Sequence, residues 1–111
     1  LTYQQVYNSL AELKIPITKV AWDSAPEKSD YMVTRIVGQE RSLWADNAMA
    51  EQDLYCTLDL FTYRNEGEET AFRVQHVLNS CGIHWELQSV QWEDDTRLNH
   101  WEWAFYVEGL I

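Results

Sequence analysis

Apolar and polar residues alternate along this chain in two rhythms, and the change from one to the other predicts its elements. Near the start, Tyr3, Val6, Tyr7, Leu10 and Leu13 recur at spacings of three and four. That spacing gathers them on one face of a helix over 2–14. Thr2-Tyr3-Gln4-Gln5 has the form of a capping box, with the Thr2 hydroxyl on a free N–H and Gln5 reaching back. Pro16 lacks an N–H and disfavours helical geometry at Ile15, so the helix stops there. Ile17 to Trp22 predicts a short strand, and Asp23 to Asp30 a polar loop. Tyr31 to Val37 is rich in β-branched residues with apolar groups on both faces; it predicts a second strand that Gly38 ends. Arg41 to Trp44 fits either a short continuation of that strand or a separate edge piece.

The longest extended stretch lies within Trp44 to Tyr63 and is entered through a polar corner, Ala45-Asp46-Asn47. Leu54, Cys56, Leu58 and Leu60 share one parity, while Tyr55, Thr57, Asp59, Phe61 and Tyr63 share the other. Side chains of a strand alternate between faces, so one face is aliphatic and the other mixes aromatic with polar groups. Such a strand belongs in the interior of a sheet.

The helical rhythm then returns. Arg64 to Gly67 is a turn, and Glu66, Glu68 and Glu69 lie where the positive end of a helix dipole favours them. Ala71, Val74, Val77, Leu78 and Cys81 make the apolar stripe, and Gly82 is a natural C-terminal cap. Ile83, Trp85 and Leu87 open a strand in one parity and Val90 and Trp92 continue it in the other, which requires a bulge near Gln88–Ser89. After a turn at Glu93 to Arg97, Trp101, Trp103, Phe105 and Val107 alternate with His100, Glu102, Ala104, Tyr106 and Glu108. The order implies an α+β fold, a mostly antiparallel sheet with two helices packed on it. At 111 residues the chain is read as one domain, 1–111, with a single core.

Composition narrows the function classes. Eighteen acidic against eight basic side chains give a net charge of −10, which argues against a groove for nucleic acid, because such grooves use Lys and Arg to displace counterions. No apolar run approaches the ~20 residues of a membrane helix, and no leader-like segment is expected. Cys56 falls in the apolar parity of its strand and Cys81 at a helix end, so both are expected as buried free thiols.

The sequence offers no catalytic constellation. Placed on the last hairpin, His84 and His100 come out roughly 20 Å apart at ~3.3 Å per residue, too far to share an ion, and His76 stands alone on a helix. Most carboxylates cluster in turns, where a solvated charge run is expected rather than a buried acid of raised pKa. The four glycines are scattered and form no phosphate loop. No catalytic, cofactor or metal site is therefore expected. Among the six tryptophans, Trp101 and Trp103 share the parity of Phe105 and Val107 and read as core. Trp22, Trp44 and Trp92 fall near loops or on the opposite phase, as anchors of protein–protein contacts do.

Several short stretches carry a family resemblance. They are Ile15-Pro16-Ile17 after the first helix, Trp44-Ala45-Asp46-Asn47 before the long strand, and Leu58-Asp59-Leu60-Phe61-Thr62 within it. Glu69 and Leu78 in the second helix, Gly82-Ile83-His84-Trp85 after it, and Trp92-Glu93 in the hairpin follow in order. Over roughly residues 10 to 108 the chain resembles a family of small tailed-bacteriophage proteins described as tail terminator, tail completion or minor capsid proteins. Where similar proteins often carry Pro-Pro-Tyr before the second strand, this chain has Lys28-Ser29-Asp30-Tyr31 and keeps only the tyrosine.

The resemblance implies a structural virion protein and no enzyme. It implies a tail-terminator-like fold and a homo-oligomeric ring, typically of six copies, on the head-proximal end of the tail tube. The implied partners are the tail tube protein and a head-completion or connector protein, with DNA passing through the lumen unbound and no membrane involved. A head–tail joining or stopper role is the near alternative, and a non-viral monomeric partner- or ligand-binding module the distant one. The residues expected at an interface are Trp22, Tyr31, Trp44, Asp46, Asn47 and Trp92. Asp46 and Asn47 are equally suited to capping their own turn.

Overall fold

In a computed structural model, which describes residues 1–41, 52–63 and 67–108, the chain forms two helices and five strands among the described residues. They run α1 (Tyr3–Ala11), β1 (Ile17–Lys19), β2 (Tyr31–Arg41), β3 (Gln52–Tyr63), α2 (Glu68–Ser80), β4 (His84–Glu93) and β5 (Leu98–Glu108). The strands make one sheet in the order β1-β2-β3-β5-β4. Every neighbouring pair is antiparallel except β1 with β2, so the α+β fold carries a mixed sheet. β3 lies in the middle, as its alternation predicts. Helix α2 carries the chain from β3 to the far edge, and the β4–β5 hairpin returns β5 into the gap beside β3.

Local rules account for most boundaries. The capping box at Thr2 forms: the Thr2 hydroxyl accepts from the Gln5 N–H at 3.2 Å, and the Thr2 N–H donates to Gln5 Oε1 at 2.9 Å. Helix α1 ends at Ala11, three residues before the predicted Lys14, because Lys14 takes a left-handed backbone (φ 62°) that turns the chain out before Pro16. Leu13 still packs on the core from this turn. β1 is half the predicted length, since Val20 (φ 71°) breaks it and Trp22 folds back onto the Met32 carbonyl. Gly38 does not end β2. Val37 is the extra residue of a bulge there, 52% exposed, and the strand runs on to Arg41. Arg41 thus continues β2, whereas Trp44 and the Ala45–Asn47 corner lie outside the described residues.

Later elements follow the pattern closely. Glu68 and Glu69 occupy the first turn of α2, and Gly82 adopts a left-handed backbone (φ 70°) just past its end. At the other end Gly67 (φ 143°) starts the helix where any Cβ would collide with the Thr62 side chain. The expected bulge in β4 sits at Gln88, between the pairs Leu87↔Trp103 and Ser89↔Glu102.

The core lies between the helices and one face of the sheet. Val6, Leu10, Val74 and Leu78 meet Met32, Cys56, Leu58, Leu60 and Trp103, all without solvent exposure. The Trp103 indole N–H is satisfied by Gln75 of α2 at 3.1 Å. Burial pushes the Cys56 thiol up to about 12, which makes it an inert packing group. Cys81 is only half-buried, unlike the expectation, because it caps α2 rather than facing the sheet squarely.

Candidate functional site

The other face of the sheet carries no helix among the described residues, and its side chains follow from the strand registers. Cross-strand pairing lines up Tyr31 with Phe61 and Phe61 with His100. Residues directly opposite on neighbouring strands stand about 5 Å apart, close enough for rings to touch. Tyr31 and Phe61 stack at 4.8 Å between centroids, and Phe61 and the His100 imidazole stack at 4.3 Å. Trp22 closes the row from the loop, meeting Tyr31 edge-on at 6.2 Å, with its indole N–H donating to the Met32 carbonyl at 3.1 Å. These four rings border a groove of about 360 Å³ that Val33, Arg35 and Asp59 also line.

The next row holds the charge. Asp59 stands opposite Glu102, two residues from His100 on the same face of β5. His100 Nε2 lies 2.8 Å from Asp59 Oδ1, and His100 Nδ1 lies 3.3 Å from Glu93 Oε2. An imidazole with an acceptor at each nitrogen is best served when both carry protons. The Asp59 hydrogen bond accordingly raises the His100 pKa above its ordinary value; burial opposes this, and the charges of Asp59, Glu93 and Glu102 add to it. Burial, with Glu93 close by, likewise raises the Tyr31 phenol. Further along, Tyr55, Tyr106 and His84 form a second ring cluster, with centroids at 5.2 and 5.6 Å.

Set against the sequence expectations, Trp22 and Tyr31 come together in one row. Tyr31 is only 9% exposed, so it props the row rather than presenting itself. Trp92 does not join them. It pairs with Asn99 on the opposite, helix-bearing side, hydrogen-bonds to Asp94 at 3.0 Å and lies under Arg97. Trp44, Asp46 and Asn47 lie outside the described residues. The expected separation of His84 from His100 is found: they pair with Tyr106 and Gln91, six β5 positions apart. Phe61, His100, Asp59, Glu93 and Glu102 escaped the sequence reading as a group. The one signal available was that β3 and β5 each carry an aromatic or imidazole ring and a carboxylate on the non-aliphatic parity.

No protein-family model matches the chain, and no curated protein sequence matches it. No helix among the described residues is long and apolar enough to cross a membrane.

Proposed function

We propose that this chain is a structural subunit of a tailed-bacteriophage particle, a tail terminator that assembles as a ring on the head-proximal end of the tail tube. The motif resemblance supplies the reading, and the uneven clothing of the sheet is the observation that carries it furthest. One face is sealed by both helices. Among the described side chains, the other presents rings and six carboxylates, Asp53, Asp59, Glu86, Glu93, Glu102 and Glu108, against the single guanidinium of Arg35. Aromatic side chains at a sheet surface suit subunit contacts, and a carboxylate-rich wall lets a polyanion pass without holding it. In this reading the subunit meets copies of itself, the tube protein and a head-completion or connector protein, within the virion.

A head–tail joining role shares this surface logic and differs in which end of the particle fails without it. The groove beside Trp22, Tyr31, Phe61 and His100 favours one other reading, a monomeric module that binds a partner or small ligand there. Purified protein mixed with tail tubes separates the readings. Rings capping one tube end, seen by negative-stain microscopy, fit the terminator. A monomer that ignores tubes and binds a ligand saturably at the groove fits the module. A lumen found to be basic, with the carboxylates outside, would remove the electrostatic part of the argument.

A further inference from the structure

We propose that Asp59, His100 and Glu102 form a binding site for a zinc-class divalent metal ion, with Glu93 as the outer carboxylate that fixes the imidazole. The inference stands apart from the ring reading and holds for either oligomeric state. Its basis is the register of β3 with β5. Asp59 and Glu102 are direct cross-strand partners, and His100 precedes Glu102 by two residues, so all three side chains leave the same face within two adjacent rows. One ligand atom from each lies within 4.8 Å of the other two. Ligands bound at about 2.0–2.2 Å to a tetrahedral ion stand roughly 3.3–3.6 Å apart, so closing the site takes side-chain shifts on the order of an ångström, within reach of small rotamer changes.

The second nitrogen of the ring makes the arrangement more than a chance cluster. His100 Nε2 points at Asp59 while Nδ1 faces Glu93, which is itself held by the Thr96 hydroxyl at 2.9 Å. A carboxylate behind a ligating imidazole is the usual way a metal-bound histidine is oriented and made more basic. Stacking on Phe61 fixes the ring plane as well. Charge favours a cation too. Three carboxylates surround one imidazole, and among the described residues no lysine or arginine forms an ion pair with them. A proton on His100 offsets one unit of that excess and a divalent ion two.

The donor set chooses among ions. One imidazole nitrogen with two carboxylate oxygens suits zinc, cobalt or manganese better than magnesium or calcium, which prefer oxygen alone. Three protein ligands leave a fourth position for water, and Asp59 and His100 line the groove from which it is reached. Bound there, the ion would tie β3 to β5 on the face that carries no helix among the described residues.

The test uses the full chain, stripped with chelator and titrated with zinc chloride by calorimetry, with cobalt as the spectroscopic probe. One ion per chain is expected, with visible d–d absorption for cobalt and a selective shift of the His100 ring signals in nitrogen–proton spectra. Glu93→Gln should weaken binding about tenfold, and Glu102→Gln, Asp59→Asn and His100→Asn should weaken it further. Circular dichroism and thermal unfolding check that each variant is folded; Glu102→Gln preserves shape and serves if His100→Asn does not fold. Absence of stoichiometric binding overturns the site. So does binding that a folded Glu102→Gln or Asp59→Asn variant retains unchanged, or that magnesium matches, since either would mean scattered carboxylates hold the ion.

Discussion

The two faces of one strand, β3, show how differently a single sheet can be used. On one side Leu54, Cys56, Leu58 and Leu60 are 0–3% exposed beneath two helices. On the other Tyr55, Asp59 and Phe61 are half-buried and meet their strand neighbours through rings and hydrogen bonds. The first face is held by burial, which needs only volume and apolar character. The second is held by pairs that need partners of particular chemistry at particular registers. Substitutions on the first face therefore ought to damage the fold, and those on the second ought mainly to alter what the surface can do.

The largest expected effect is on the covered face. Trp103 is fully buried between sheet and α2, so Trp103→Ala leaves a cavity and an unpaired Gln75 amide and should cost about 4 kcal/mol. Phe61→Ala removes two stacked contacts from a half-exposed site and should cost nearer 2 kcal/mol. Urea unfolding of both variants measures the contrast; equal losses would mean that the second face is buried in the same sense as the first.

A smaller effect separates the faces by pH. His100 has a raised pKa in the folded chain, so its contribution to stability is complete below the unfolded value of about 6.5 and is lost as pH climbs through the folded value. In metal-free protein, stability should thus fall over that window, and Asp59→Asn should flatten the slope. Unfolding midpoints measured from pH 6 upward test it, and an unchanged slope in Asp59→Asn would deny the pairing. The smallest effect has the opposite sign. The Thr57 hydroxyl is buried without a hydrogen-bond partner among the described residues, so Thr57→Val, of the same shape, should stabilise by about 1 kcal/mol.

The same contrast governs what could be read from the sequence. Parity in β3 and β5 and the 3–4 spacing in both helices identified the covered face almost residue by residue, because burial leaves a periodic mark. The bulge at Gln88 was legible for the same reason, as a switch of parity between Leu87 and Val90. Gly38 misled: glycine punctuates strands, yet here it follows a bulge within one. The extra turn at Leu13 kept the helical spacing without the helix, since a turn on that side can reach the same core. The Asp59–His100 pair was out of reach. The two residues are 41 positions apart, and nothing in the order of elements says that β5 rather than β4 lies beside β3. The sequence marks Trp92 as a surface aromatic, and it is 41% exposed, but its face depends on the hairpin register.

Electron microscopy of particles made without the gene tests whether this face serves a ring at the end of a tail tube, as proposed. Headless tails of irregular, excessive length are the predicted result. Intact, full-length particles with heads attached would contradict it.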